Sequence, residues 1–319
     1  MFVFKAAVLG GGTMGGEIAQ VIANADIPVV VKDVEREFLD HAMDKARGVT
    51  KSQLDKLVSK EKLTQEAADS RLDEVMGLIT GATTYDDFGD VDFVIEAVPE
   101  KMELKKSVYR ELDEVTPGHA ILASNTSSLS ITEMGRETLR PGKVVGFHFF
   151  YPASVMPLVE IISGEGTSRD TVTTAFNFAQ AIRKQPITCR EVPGFVVNRV
   201  LNAGASEIWR AQEEQGLSIM KIDEVAAGKT APMGPFILID MLGLDTTLHV
   251  AEYLKEVYGD RFYVHKGMQK LVKEGKLGAK SGGEGFYKDG EPQIPGDADP
   301  DAEELAQTLR VCPQCGHHF

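Results

Sequence analysis

The chain has 319 residues, with 34 lysines and arginines against 48 aspartates and glutamates, a formal net charge of −14. That balance excludes non-specific attraction to a nucleic-acid backbone, and no apolar run reaches the roughly 18–20 residues of a membrane span. The length admits two ordinary domains, and three cysteines, two of them in one Cys-x-x-Cys, do not make a disulfide framework.

The chain opens with neither a basic segment nor an apolar signal region, so a cytoplasmic location is expected. The apolar run Ala6–Leu9 reads as a buried strand, and Gly10, Gly12 and Gly15 follow it as G-x-G-x-x-G. A helical stretch comes next, with Ile18, Val21, Ile22 and Ala25 on one stripe. A second strand, Ile27–Val31, leads to Asp33, eighteen residues past Gly15. In such a unit the first glycine makes the tight turn, the second admits a pyrophosphate and the third packs helix on strand. The helix N-terminus, with Thr13 and Met14 in the turn before it, offers N–H groups to the phosphates. A carboxylate at the tip of the second strand takes the ribose hydroxyls, and strand, glycines, helix and acid together make the dinucleotide fingerprint. Asp33 would repel a 2′-phosphate and Val34 offers no cation, which favours NAD over NADP; Arg36 is the nearest counter-argument.

Residues 35–77 read as an inserted helical arm. Phe38, Ala42 and Ala46 fit one stripe, and Leu54, Leu57 and Val58 another. Its cations, Lys45, Arg47, Lys51, Lys56, Lys60 and Lys62, fit either a solvated helix pair, the usual meaning of a charge run, or a platform for a phosphate-bearing substrate. Strands follow at Leu78–Thr84, Val91–Ile95, Ala120–Ala123 and Val144–Phe147. A helix at 101–115 carries Leu104, Val108, Leu112 and Val115 at burial spacing. Glu96, Glu100, Ser127 and His148 fall at the carboxyl ends of these strands, where open α/β sheets bind ligands. Two further strands, Leu158–Ile162 and Ile187–Cys189, flank a helix at about 168–183. Beyond Pro193-Gly194 only helices are expected, at 195–214, 218–227, 236–257 and 265–274. Gly290–Pro300, rich in Pro, Gly and Asp, reads as a linker. The expected fold is α/β, a Rossmann-type doubly wound sheet (1–193, with the arm 35–77), then an all-helical domain (194–289) and a tail (290–319).

Glu160 interrupts the apolar run Leu158-Val159-Glu160-Ile161-Ile162, and a carboxylate in a buried strand needs a partner. His148, twelve residues earlier at a neighbouring strand end, supplies one. Such a pair fixes the imidazole tautomer and supports its charged form, as a general base requires.

At this point the chain resembles the L-3-hydroxyacyl-CoA dehydrogenases of fatty-acid β-oxidation and butanoate metabolism. The resemblance covers about residues 5–288. It rests on Gly10–Gly15, Ile95-Glu96-Ala97-Val98-Pro99-Glu100, Ser124–Leu129, Gly146–Phe150, Val192–Arg199, Pro232–Phe236 and Gly285-Phe286-Tyr287. It implies that Asp33 binds the adenosine ribose, that Glu100, Lys105 and Lys280 contact the dinucleotide, and that Ser127 lies between cofactor and substrate. It further implies His148 as catalytic base, Glu160 as its acidic partner, Asn198 as a substrate-holding residue and Lys56 as a contact for coenzyme A. A homodimer through the helical domain is implied as well, and Phe236–Leu242 carries more apolar surface than a small domain need bury. The chain lacks the hydratase segment of the multifunctional relatives, so a single activity is expected.

Two departures stand out: Tyr151 replaces an asparagine common in the family, and the segment Lys280–Tyr287 is one residue longer than the usual pattern. Two alternatives stay open. One is a related NAD-linked dehydrogenase of a free 3-hydroxy acid, gulonate- or carnitine-type; the other is a protein that binds the dinucleotide without turnover. The tail Cys312-Pro313-Gln314-Cys315 looks like one knuckle of a zinc ribbon, but Cys189 is the only other cysteine. The tail is therefore expected to hold no metal and to take no part in hydride transfer.

Overall fold

Strand β1 (Ala6–Leu9) lies inside an eight-stranded sheet of order β3-β2-β1-β4-β5-β6-β7-β8. The computed structural model describes residues 2–229 and 233–301, and the chain divides into two units, Met1–Phe195 and Val196–Phe319. In the first unit β1 is followed by α1 (Gly15–Ala23), β2 (Val29–Lys32), α2 (Arg36–Ser59), α3 (Gln65–Gly77) and β3 (Ile79–Ala82). Then come β4 (Phe93–Glu96), α4 (Met102–Val115), β5 (Ile121–Ser124), α5 (Ile131–Arg136), β6 (Val144–Phe149), β7 (Leu158–Ser163), α6 (Arg169–Ala181) and β8 (Gln185–Arg190). Strand order reverses beside β1, between β2 and β4, which is the switch point of a doubly wound sheet.

The apolar strands divide their side chains by the period of two. Ala6, Val8, Val29, Val31, Ile95 and Phe147 pack on one face with Ile18, Ile22, Leu39, Ala42 and Phe178. Ala7, Leu9, Val30, Val94 and Leu122 pack on the other with Val108, Tyr109, Leu112 and Met134. Burial on both faces explains why these strands read as continuous apolar runs.

The sheet is not parallel throughout, because β6 and β7 pair antiparallel. The connection 150–157 is too short for a parallel crossover, which needs about a dozen residues. Two expected stripes also shift by a residue. On α2 the buried line is Leu39, Ala42, Ala46, Thr50 and Leu54, whereas Phe38 and Leu57 are exposed. Leu39 takes the inner position because α2 lies against α1 so closely that a Cβ on Gly16 would fall 2.6 Å from the Ala42 carbonyl. On α4, Leu104 is exposed and Lys105 is buried.

The second unit holds α7 (Val197–Gln215), α8 (Ile219–Lys229), α9 (Pro235–Leu242), α10 (Leu244–Tyr258), α11 (Lys266–Lys273) and a short hairpin of β9 (Tyr287–Lys288) and β10 (Glu291–Pro292). It is thus not wholly helical. The single helix expected at 236–257 is two, because Gly243 adopts φ 100°, ψ 126° between them. The segment expected as a linker is packed as far as Ala298. Ile294 and Ala298 join the helical core, Ser218 N–H donates to the Ala298 carbonyl at 2.8 Å, and Gln212 Nε2 donates to the Pro295 carbonyl at 3.0 Å.

Two aspartates, Asp223 buried and Asp240 half-buried, organise this unit. Asp223 accepts from Phe236 N–H at 2.8 Å and Ile237 N–H at 3.2 Å, capping α9, and from the Tyr287 hydroxyl at 2.6 Å. Asp240 accepts from the N–H groups of Phe286 and Tyr287 at 2.7 and 2.9 Å. Burial raises both carboxyls above their usual range and the Tyr287 phenol far above its own.

His265 is buried as a neutral ring. Its Nδ1 accepts from Met268 N–H at 3.0 Å, capping α11, and its Nε2–H donates to Gln212 Oε1 at 2.9 Å. Burial pushes its pKa down to about 4, against the pull of Glu213. The unfolded ring takes a proton near 6.5, so this stability is complete above about pH 6.5. It is lost as pH falls toward 4, at up to roughly 1.4 kcal/mol per pH unit. Urea midpoints at pH 7 and pH 4.5 should separate more widely for the unsubstituted protein than for His265→Asn, which keeps a capping side chain. Equal separations would show that His265 contributes nothing to acid lability.

Candidate active site

The carboxyl ends of the parallel strands finish in register: Leu9 pairs with both Lys32 and Glu96, Glu96 with Ser124, and Ser124 with Gly146. The next residues, Gly10, Asp33, Ala97 and Asn125, therefore share one sheet edge, and His148 lies two positions beyond Gly146 on β6.

The glycine-rich turn has the shape a dinucleotide requires. Gly10 has φ 105°, and a Cβ there would meet the Ala97 carbonyl at 2.6 Å; one on Gly15 would meet the Gly10 carbonyl at 1.8 Å. Gly12 and Thr13 are exposed, Met14 is half-buried, and no side chain caps α1. A helix N-terminus without a side-chain cap, behind the exposed Gly12 and Thr13, leaves backbone N–H groups of the kind that bind phosphates. Asp33 is half-buried at the tip of β2. Its Oδ2 accepts from Gly11 N–H at 2.6 Å and its Oδ1 from Val34 N–H at 2.7 Å, which fixes carboxylate and turn together. Arg36 is engaged by Asp40, its Nε 3.2 Å from Oδ1. With the carboxylate fixed and that cation paired, kcat/KM with NADH should exceed that with NADPH by about ten-fold or more, the ratio given by 1.4 kcal/mol. A preference for NADPH would contradict the assignment of Asp33.

Glu96, expected at the ligand-binding edge, is instead fully buried. It receives Lys105 Nζ at 2.6 Å, the Ser124 hydroxyl at 2.7 Å and Val98 N–H at 2.8 Å. Lys105 also stands 3.2 Å from Glu100. Its ammonium is therefore engaged by two carboxylates rather than free on the surface. Glu100 Oε1 accepts from the Thr126 hydroxyl at 2.5 Å and from Ser127 N–H at 3.0 Å. Glu100 and Lys105 thus set the turn that carries Ser127, whose hydroxyl keeps no partner among the described residues.

His148 and Glu160 are direct cross-strand partners of β6 and β7. His148 Nδ1 lies 2.8 Å from Glu160 Oε2, with the two side chains 5% and 0% exposed. An ionised carboxylate only accepts, so against it Nδ1 carries the hydrogen, and in the neutral ring the lone pair is then on Nε2. Among the described residues Nε2 has no hydrogen-bond partner. Asn125, unassigned from the sequence, accepts Phe149 N–H through Oδ1 at 2.8 Å and so ties β6 to the β5 edge beside the base.

The remaining candidates lie elsewhere. Lys56 is exposed in the last turn of α2, on a shallow groove of about 430 Å³ lined by Gly48, Lys51, Ser52, Asp55 and Ser59. Two other cations of the arm are occupied, Lys45 by Glu17 at 3.2 Å and Lys51 by Asp55 at 2.8 Å. Asn198 is half-buried in the first turn of α7, and Lys280 falls in the turn Ala279–Ser281; both belong to the second unit. Cys312 and Cys315 lie outside the described residues, and among the described residues no group of three or more His, Cys, Asp and Glu could hold a metal ion. No described helix is long and apolar enough to cross a membrane.

The family model of the 3-hydroxyacyl-CoA dehydrogenase NAD binding domain matches residues 5–192, and that of the 3-hydroxyacyl-CoA dehydrogenase C-terminal domain matches residues 194–289. The probable 3-hydroxybutyryl-CoA dehydrogenase of Deinococcus radiodurans is 40% identical over 286 residues, 89% of this chain and 99% of that one. The fatty acid oxidation complex subunit alpha of a Psychrobacter species is 41% identical over 288 residues, and there the match spans only 38% of the relative's length. The crystal structure of the (S)-3-hydroxybutyryl-CoA dehydrogenase of Ralstonia eutropha superimposes with a TM-score of 0.80 at 37% identity, covering 90% of this chain and 99% of that one.

Proposed function

The chain belongs to the 3-hydroxyacyl-CoA dehydrogenase family, and on that premise we propose that it catalyses the reversible NAD-dependent oxidation of an L-3-hydroxyacyl-CoA to the 3-ketoacyl-CoA. The observation that carries this reading is the buried His148–Glu160 pair, 2.8 Å apart at the sheet edge that also carries the glycine-rich turn. The nicotinamide, when bound, supplies the hydride acceptor or donor. His148 Nε2 takes the proton from the 3-hydroxyl. Glu160, bonded to Nδ1, holds the ring in that tautomer and stabilises the charge it gains. The Ser127 hydroxyl orients the 3-hydroxyl and the developing ketone, and the family resemblance gives the Asn198 amide a part in holding the substrate, so that much of the acceleration comes from orientation and fixed dipoles.

The exposed Lys56, with no charged partner among the described residues, supports a coenzyme A thioester over a free acid. NADH oxidation tests this with acetoacetyl-CoA, longer 3-ketoacyl-CoAs and free acetoacetate side by side. The thioesters should turn over faster; a preference for the free acid would move the chain to the gulonate- or carnitine-type reading. Tight NADH binding with no turnover of any of them would favour a non-catalytic protein.

The same proposal includes a cytoplasmic homodimer, in fatty-acid or butanoate metabolism, without nucleic-acid or membrane partners. The acidic charge of −14 supports the last point. For the dimer the support is α9: Phe236 and Ile239 are buried, while Ile237 and Met241 are 47% and 42% exposed. Sedimentation at micromolar concentration should give one species of twice the chain mass, and a clean monomer would contradict it.

A further inference from the structure

A charged cluster in the first unit takes no part in the mechanism above. Glu17, in the first turn of α1, is only 2% exposed. Its Oε2 accepts from the Ser154 N–H and hydroxyl at 3.1 and 3.0 Å, and its Oε1 faces Lys45 Nζ at 3.2 Å. Gln53 of α2 donates to the Ser154 carbonyl at 3.4 Å. From the other side, buried Lys184 donates through Nζ to the carbonyls of Ala153 at 2.6 Å and Met156 at 2.9 Å. Burial lowers the Lys184 ammonium below its usual pKa, opposed by the charge of Glu17.

Apart from the Glu17–Lys45 pair, these bonds converge on Ala153, Ser154 and Met156 in the connection 150–157, between the strand of His148 and the strand of Glu160. A connection of this length between antiparallel strands is ordinarily a mobile loop. Here it is pinned by side chains from α1, from α2 and from Lys184, just before β8. Burying charged groups carries a desolvation cost, which falls here on both Glu17 and Lys184. The pinned segment keeps Tyr151, Val155 and Met156 37%, 69% and 37% exposed beside the end of β6. Glu17 also sits in the first turn of the helix that follows the glycine-rich turn, so one carboxylate ties the connection between β6 and β7 to that helix.

We infer that Glu17 and Lys184 are positioning residues, which hold Tyr151–Met156 as a fixed wall for the acyl substrate beside His148 and in register with the nucleotide-binding helix. The inference rests on the dehydrogenase reading above. It assigns to this chain a polar clamp that neither residue's local sequence announces.

The test is steady-state kinetics of Glu17→Gln and Lys184→Met with acetoacetyl-CoA, beside NADH affinity by fluorescence titration and thermal midpoints. Misplacing a bound substrate by about 1 Å costs up to roughly 10²-fold. The expected result is a fall of about ten-fold or more in kcat, with NADH affinity unchanged. Lower thermal midpoints with kcat and KM both unchanged would overturn the inference, since that is the behaviour of a purely structural cluster. Should Lys184→Met fail to fold, the nearly isosteric Glu17→Gln, together with Ser154→Ala, decides on the same criteria. Failure of the underlying reading looks different, because the unsubstituted protein would then turn over no 3-ketoacyl-CoA, and both proposals would fall together.

Discussion

Replacing His148 with glutamine should lower kcat by about 10²–10⁴-fold, the usual contribution of a general base, and leave NADH affinity unchanged. Glutamine approximates the size of the ring and can still bond to Glu160, so β6 and β7 keep their register. What it lacks is a basic nitrogen at the position of Nε2, the one ring atom left without a partner among the described residues. NADH is expected to bind through the glycine-rich turn, the N-terminus of α1 and Asp33, none of which touches His148. A fluorescence titration and a steady-state assay on the same preparation separate the two properties. Near-normal turnover in His148→Gln would require another base. Loss of NADH binding would instead mean that the substitution had disturbed the sheet edge.

The second large effect is on stability. Lys105→Met should destabilise the first unit by roughly 3–5 kcal/mol, the cost of breaking a buried ion pair from one side. Lys105 and Glu96 are 1% and 0% exposed and 2.6 Å apart. Methionine fills most of the lysine volume, so the loss comes from the carboxylate left behind rather than from a cavity. Glu96 would retain only the Ser124 hydroxyl and Val98 N–H. The urea midpoint should fall with little change in the slope, and the double variant Glu96→Gln, Lys105→Met should recover most of the loss, because coupled neighbours are not additive. A loss below about 1 kcal/mol, the level of a surface pair, would show that the pair is solvated in solution. Function should suffer as well. Glu100, 3.2 Å from the same ammonium, holds the turn of Ser127.

Much of the candidate site was legible because its chemistry is written locally. Gly10 and Gly15 are demanded by carbonyls under 3 Å from where a Cβ would stand, and that demand survives in the sequence as a spacing. Glu160 stood out because a carboxylate among four apolar residues must have a partner, and His148, at a neighbouring strand end, was able to serve. Other features had no local signature. Glu17 and Ser154 are 137 positions apart, so nothing in either neighbourhood points to the other. On α4, Leu104 precedes Val108 by four and Lys105 precedes it by three, and both fit a helical stripe. Only the buried Glu96 decides that the lysine turns inward. The break at Gly243 was hidden because apolar residues continue on both sides and a stripe does not reveal a backbone angle. Residues 290–300 looked like a linker by composition, yet composition does not register that Gln212 and Ser218 offer bonds to the Pro295 and Ala298 carbonyls. The family resemblance supplied what periodicity did not, the parts assigned to Ser127, Asn198 and Lys56, and these remain proposals about individual side chains.

The most direct measurement is a single-turnover experiment. Protein loaded with NADH is mixed rapidly with acetoacetyl-CoA, and the nicotinamide absorbance is followed in the unsubstituted protein and in His148→Gln. The expected result is complete oxidation of the bound NADH in the unsubstituted protein, with the same step slowed by about 10²–10⁴-fold in the variant. Oxidation at equal rates in the two proteins, or bound NADH that acetoacetyl-CoA never oxidises, would contradict it.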